Sequence, residues 1–360
     1  MNIAIFGLSI TSSWGNGHAT TYRALVRALA ARGHDVVFFE RNAPWYADNR
    51  DLPEPPYCRT VLYDDVAELS RVAADDLRTA DLAIVGSYVP DGVAVGDYVQ
   101  RSAQGLTAFY DIDTPVTLAK LAHDRAEYLA ARQIPRYDLY LSFTGGPTLE
   151  RLHTLYGSPL ARPLYCSVDP DLYFPERTRM QWDLGYLGTY SADRQPVLER
   201  LMLKAATRQP GVRCVVAGPQ YPDDIAWPAN VERIVHLAPD GHRRFYNSSR
   251  YTLNVTRADM VKAGYSPSVR LFEAAACGTP IISDTWPGLD HFFAPGVEIL
   301  LSRKAQDTLA YLTDTSEADR LAIGARARAR VLSAHTAAHR ALELEAHAAE
   351  AGLKTERAAS

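Results

Sequence analysis

Short apolar runs alternate with helically periodic segments along almost the whole chain, and this alternation limits the possible folds more than any other feature. Residues 2–9, NIAIFGLS, read as a buried strand. A loop of small and polar residues follows at 10–18. Residues 19–32 then carry Tyr22, Leu25, Val26 and Leu29 at helical spacing. Gly33 closes that helix, and 34–40, HDVVFFE, form a second buried strand. A strand, helix and strand in this order open a parallel sheet with right-handed crossovers. The pattern continues with strands at 59–63, 81–86, 105–110 and 138–143. The helices between them are expected at 64–79, 93–102, 114–121 and 147–156.

Between 163 and 177 the texture changes to RPLYCSVDPDLYFPE, rich in proline and without helical period, which reads as a link. The alternation then restarts, with strands at 184–188, 213–217, 231–235, 251–255, 281–283 and 298–301. Helices are expected at 196–208, 241–248, 267–277, 306–312 and 317–347. At 360 residues the chain exceeds what one core usually serves. The expected architecture is α/β, with two doubly wound Rossmann-like domains at 1–165 and 166–347. The terminal helices have the option of packing back on the first domain, and 348–360 are expected to be a disordered tail.

A 47% apolar and 22% charged composition fits a globular protein, and a net charge of −4 with no basic stripe argues against a nucleic-acid partner. Cys58, Cys166, Cys214 and Cys277 are far apart and form no CxxC pair, which points to reduced thiols and away from a zinc site. No stretch approaches 18 uninterrupted apolar residues, so no integral membrane segment is expected, and a cytoplasmic location follows by default.

Residues 263–290, AGYSPSVRLFEAAACGTPIISDTWPGLD, have the most complete local grammar. Ser266 suits an N-cap, Pro267 suits the first helical position, and Gly278 with Pro280 stops the helix. Ser266, Arg270 and Glu273 fall at i, i+4 and i+7, a polar stripe among Leu271, Phe272 and three alanines. One reading is an anion site in which the helix N-terminus and Arg270 hold a diphosphate while Glu273 accepts bonds from vicinal hydroxyls. The other is a solvated face with an Arg–Glu pair contributing about 0.2–0.5 kcal/mol.

The segment RLFEAAACGTPIISD, 270–284, resembles the donor-binding segment of GT-B glycosyltransferases, in the retaining group with a Glu-x7-Glu motif. Together with SSWGNGHATTYR at 12–23, YDIDTP at 110–115 and GYLGTYSADRQP at 185–196, the chain is similar over nearly its full length to CgeB-like proteins, the spore-maturation or group 1 glycosyltransferases. The resemblance implies two domains facing each other across a cleft, the first binding an acceptor and the second a nucleotide sugar. It implies that Glu273 holds ribose hydroxyls and that Ser266, Ser268, Val269 and Arg270 lie at the diphosphate. Tyr265 stands where the motif has its first glutamate, so neither sugar recognition nor stereochemistry is carried over. Thr189 and Arg194 occupy the places of a phosphate-binding arginine and lysine, and His236, Leu237 and Ala238 would lie beside the base. UDP or dTDP is the expected donor nucleotide; no cofactor or metal is implied.

Glycosyl transfer needs a base for the acceptor hydroxyl and a stabiliser for the leaving diphosphate. His18, Asp111 and Asp113 are the titratable groups best placed in the first half. A base role for His18 stands beside helix capping or passive contact, and Asp113 stands between chemistry and capping at Thr114, which makes Asp111 the better candidate of the two for chemistry. Gly15-x-Gly17-x-x-Thr20 with Glu40 imitates a dinucleotide fingerprint, but its loop is too long and its third small position is threonine. His335 and His339 at i, i+4 lack the zincin glutamate and are expected on a solvated face. A nucleotide-sugar 2-epimerase and a non-catalytic nucleotide-sugar-binding protein are the alternatives.

Overall fold

The strand at Asn2–Gly7 (β1) is buried from Ile3 onward and accepts a parallel neighbour on each side. Ile3 aligns with Val36 of β2 (Asp35–Arg41) and with Leu82 of β4 (Leu82–Gly86). With β3 (Arg59–Tyr63), β5 (Leu106–Asp111), β6 (Leu139–Ser142) and β7 (Ala161–Pro163) these form a 7-stranded parallel sheet in the order β3-β2-β1-β4-β5-β6-β7. Phe6, Phe39, Val85, Phe109 and Tyr140 from five of its strands share one buried cluster. The order reverses between β1 and β4, and at such a reversal the loops leaving the two strands diverge and open a crevice at their carboxyl ends.

A second sheet repeats the plan. β8 (Trp182–Leu187), β9 (Cys214–Ala217), β10 (Val231–Ile234), β11 (Ser249–Asn254), β12 (Ile281–Ser283) and β13 (Leu300–Leu301) run parallel in the order β10-β9-β8-β11-β12-β13. Its reversal lies between β8 and β11.

The computed structural model describes residues 1–14, 17–123 and 125–359. The chain divides into one unit of Met1–Cys166 with the helix from Ala337, and a second of Ser167–Thr336. That C-terminal helix, Ala337–Ala359, lies against the helix His18–Ala31 and buries Ala341, Leu344, Ala348 and Ala351. Glu345 accepts bonds from both Arg32 and His34 at 2.6 Å, and Arg162 pairs with Glu350.

Several elements differ from the sequence-based expectation. Residues 348–359 are helical where a disordered tail was expected, because an alanine-rich face finds a partner in the first unit and high helix propensity carries the rest. The helix expected over 317–347 is two helices, Glu317–Ala334 and Ala337–Ala359. The chain breaks at His335, whose ring stacks on Phe272 at 4.8 Å and whose carbonyl accepts the amide of Val168. His335 is therefore buried and not on a solvated face. The helix expected over 64–79 is also two, Val66–Val72 and Ala74–Thr79, meeting at buried Ala73. Part of the expected link at 163–177 belongs to the edge strand β7.

Candidate functional site

The reversal in the second sheet is lined by the residues that follow β8 and β11. Arg270 lies in the helix Val269–Ala276 and is 8% exposed; its Nε donates to the carbonyl of Leu187 at 2.5 Å and its Nη1 to Asn254 Oδ1 at 3.0 Å. Its guanidinium sits 4.9 Å from the centroid of Tyr186. Ser268 Oγ donates to the same Asn254 oxygen at 2.9 Å. Asn254 is fully buried, and its amide nitrogen donates to Thr256 and to Ser283 of β12, so this side chain ties β12 to the helix start while Arg270 ties β8 to it. Thr256 donates through amide and hydroxyl to the carboxylate of Asp284 at 3.0 and 2.9 Å, and burial pushes that carboxyl above its ordinary value.

Arg194 completes the cationic group. Its Nη2 donates to the carbonyl of Thr189 at 2.7 Å, while its Nε is enclosed and has no partner among the described residues. Burial, with the repulsion of Arg270 and Arg257, holds this guanidinium below its ordinary value. Asp193, the buried Asp284 and Glu273 are carboxylates near these arginines, and Asp284 is committed to Thr256 and Glu273 to Tyr246. A guanidinium crowded by two others gains free energy when an anion enters, and the open N-terminus of Val269–Ala276 adds unpaired N–H groups.

The helix itself starts later than its sequence suggests. The expected N-cap, Ser266, lies outside it: Gly264 and Tyr265 take positive φ values of 69° and 46°, and the Ser266 hydroxyl meets Met260 Sδ at 3.1 Å. Pro267 holds Ser266 away from helical geometry, so the cap position falls to Ser268, whose hydroxyl is committed to Asn254. Val269 is the first helical residue and is partly exposed. Glu273 is 4% exposed and accepts a bond from Tyr246 at 3.0 Å, with Tyr173 as a second phenol donor. The stripe is therefore not a solvated face. Tyr265 is partly exposed, its amide donates to the carbonyl of Pro287, and its ring meets His291 edge to face. Thr189 is exposed in the loop after β8. His236, Leu237 and Ala238 follow β10, two strands from the reversal; His236 and Ala238 are exposed, and Leu237 accepts a bond from His242 through its carbonyl.

At the reversal in the first sheet, His18 begins the helix that follows β1, and Tyr88 lies in the turn after β4. Their rings meet edge to face at 5.3 Å. His18 reaches solvent in part, but its Nδ1 is enclosed without a partner among the described residues, and desolvation pushes the imidazole down to about 4. Its neighbours Gly15 and Asn16, which belong to the dinucleotide-like pattern, lie outside the described residues. Glu40 does not face this space. It is fully buried and accepts the amides of Ile10 and Thr11 and the Thr11 hydroxyl, which pins the loop after β1.

Tyr88 adopts a φ of 64°, which a bulky residue rarely does, and donates to Asp113 Oδ2 at 3.2 Å. Asp113 holds the N-cap position of Thr114–Leu121, yet its side chain makes no capping bond. Asp111 is fully buried and accepts from Tyr140 at 2.6 Å, from Thr117 at 2.8 Å and from the Asp113 amide at 3.2 Å. Burial pushes its carboxyl up to about 6. With those partners Asp111 organises the end of β5, and Asp113 is the carboxylate directed to Tyr88.

Sequence reasoning missed Asn254, Arg257 and Tyr88. For Asn254 a signal existed: YTLNVT places one amide in an otherwise apolar strand, where a buried polar group needs partners. Tyr88 gave none, since its backbone geometry is a tertiary outcome.

Residues 194–346 match a family described as glycosyl transferase-like. None of the curated protein sequences compared with the chain matches it. Among solved structures, a sucrose-phosphate synthase from Thermosynechococcus elongatus superposes with a TM-score of 0.65 at 16% identity, covering 99% of both chains. HepE from Anabaena, solved with UDP and glucose, gives 0.71 at 13% identity over 97% of this chain and 99% of its own. An alpha-glucosyltransferase solved with UDP and a 13-mer DNA gives 0.68 at 13% identity over 96% and 99%. These likenesses establish the fold, which is GT-B. Among the described residues no helix is long and apolar enough to cross a membrane, and no group of three or more His, Cys, Asp or Glu is placed to hold a metal ion.

Proposed function

We propose that the protein is a glycosyltransferase that moves a sugar from a nucleoside diphosphate to an acceptor hydroxyl without a metal ion, within the CgeB-like group. The observation that carries this reading is the convergence of Arg194, Arg257 and Arg270 on the strand reversal of the second unit, beside the N-terminus of Val269–Ala276. The glycosyl transferase-like match spans the same residues, and structural neighbours bind UDP. UDP or dTDP is the donor nucleotide, with its diphosphate at Ser268, Val269, Arg270 and Arg194 and its ribose hydroxyls at Glu273. Thr189 borders the phosphates, and His236 to Ala238 border the base. The CgeB-like assignment rests on the four motifs; Tyr265, in place of the motif's first glutamate, is a departure from the wider family's pattern.

In the reaction the acceptor oxygen bonds to the anomeric carbon as the bond from that carbon to the diphosphate oxygen breaks. The departing electron pair adds charge to the diphosphate, where the guanidinium groups stabilise it. The acceptor proton passes to a base in the first unit. His18, neutral above about pH 4, is the candidate, with Tyr88 and Asp113 holding the surrounding loop. Purified protein incubated with UDP-sugars tests this. Slow donor hydrolysis that accelerates with acceptor and falls at least about tenfold in His18→Ala supports transfer. Fast interconversion of donor sugars without acceptor indicates a 2-epimerase, and an absence of turnover over a broad acceptor panel indicates a binding protein.

A further inference from the structure

We infer that the second unit carries a saccharide-binding pocket separate from the nucleotide site. It lies between the helical run that begins at Gln195 and the loop containing Pro222 to Pro228, with a volume of about 580 Å³. The helical run is not a plain α-helix: Gln195–Leu198 and Lys204–Arg208 are α, but Glu199–Leu203 form a π-turn. Its closing bond, from the amide of Lys204 to the carbonyl of Glu199, sets these two residues five apart on one face, and both line the pocket. Such single π-turns recur at functional sites because the wider turn repositions side chains.

The lining fits a pyranose. Gln195 is 8% exposed; its Nε2 donates to Glu199 Oε1 at 3.0 Å, which fixes the amide orientation, and its Oε1 has no partner among the described residues. That oxygen requires a donor such as a hydroxyl. Glu199 and Asp224 add acceptors, Lys204 adds a donor, and Tyr190 and Ile225 offer apolar faces for the C–H side of a ring. The tyrosine is held edge to face against Tyr221 at 5.5 Å. Two carboxylates against one ammonium disfavour a free phosphate, while acceptors and donors beside flat apolar surface suit a neutral polyhydroxyl ligand. Such a pocket would hold a free sugar or the end of a glycan while the nucleotide site works independently.

Saturation-transfer NMR on the full chain in the presence of UDP tests the inference, with glucose, galactose, mannose, N-acetylglucosamine and maltotriose as probes. Transfer to at least one of them is expected. A monosaccharide signal marks a single-ring site, and a signal from maltotriose alone marks a chain-end site. Asp224→Ala and Lys204→Ala, both exposed positions, should weaken the binding about tenfold. Ile225→Trp, which fills the space, should abolish it. All three variants should keep the UDP-induced rise in melting temperature. No transfer to any probe, or transfer that the variants leave unchanged, overturns the pocket. A variant that also loses its UDP response overturns its separateness. Sugar binding in a protein without a UDP response would instead refute the donor site alone.

Discussion

At the level of single residues, Arg194 offers the cleanest test of the anion site. Arg194 touches only the Thr189 carbonyl through its described bonds, and two other arginines depress it, so Arg194→Ala should leave the fold nearly unchanged. A lost charge-assisted bond contributes roughly 1.5–3 kcal/mol, so its UDP dissociation constant should rise at least about tenfold, as titration calorimetry would show. An unchanged constant would remove Arg194 from the site. Asp111 gives a prediction of a different kind. Its folded-state carboxyl is raised to about 6 from an ordinary value near 4, so the stability it contributes is full below about pH 4 and is lost as pH rises through 6. Asp111→Asn should therefore flatten the decline in stability between pH 4 and 6, a difference of about 3 kcal/mol by linkage. Denaturation midpoints across that range that parallel wild type would contradict it. His18 has the opposite sign: with its imidazole lowered to about 4, protonation is disfavoured in the fold, and stability falls as pH drops from about 6.5 toward 4.

At the scale of elements, two glycines at neighbouring strand ends separate function from folding. A Cβ at Gly188 would meet Arg270 Nη2 at 2.8 Å and the Tyr186 hydroxyl at 2.9 Å, both side-chain tips that can move. Gly188→Ala should then displace the guanidinium, weakening UDP more than stability. Gly218 has a φ of 144°, and a Cβ there would lie 2.1 Å from the Gly188 carbonyl oxygen, which is backbone. Gly218→Ala should lower stability by at least about 1–3 kcal/mol, read from chemical denaturation. Equal effects of the two variants on affinity and stability would mean that the Gly188 loop serves packing only.

The strand–helix alternation was legible in the sequence because parallel strands buried on both faces are near-continuous apolar runs; β1, β2, β4 and β12 were readable this way. Most of what was not legible depends on neighbours distant in the chain. Ser266 looked like an N-cap, but Pro267 keeps it out of helical geometry and the cap falls to Ser268, with the helix starting at Val269. Arg270 and Glu273 looked equally suited to water or ligand, and only Leu187, Asn254 and Tyr246 decide that both are buried. Spacing favoured Asp111 over Asp113 for chemistry, and it is the hydroxyls of Tyr140 and Thr117 that bury and occupy Asp111 while Asp113 meets Tyr88.

At the scale of the whole molecule, the C-terminal helix belongs to the first unit although the second precedes it in the chain. It packs on the helix His18–Ala31 and on β5 and β6, burying Ala341, Leu344, Ala348 and Ala351, and anchors Glu345 to Arg32 and His34. Ending the chain at Thr336 should destabilise the first unit by at least about 3 kcal/mol from lost apolar burial, since one leucine alone contributes about 1.5–3. A truncated chain with an unchanged denaturation midpoint would show that the helix only decorates that unit. The two sheets share one strand plan with a reversal at β1/β4 and at β8/β11, and the proposed nucleotide site lies at the second. The melting temperature of the full chain with UDP, dTDP, GDP and ADP tests that claim most directly. At 100 times the dissociation constant a bound nucleotide stabilises by about 2.7 kcal/mol, so UDP or dTDP should raise the transition clearly, and Glu273→Ala should reduce the rise. A transition that none of the four nucleotides moves would contradict the donor site.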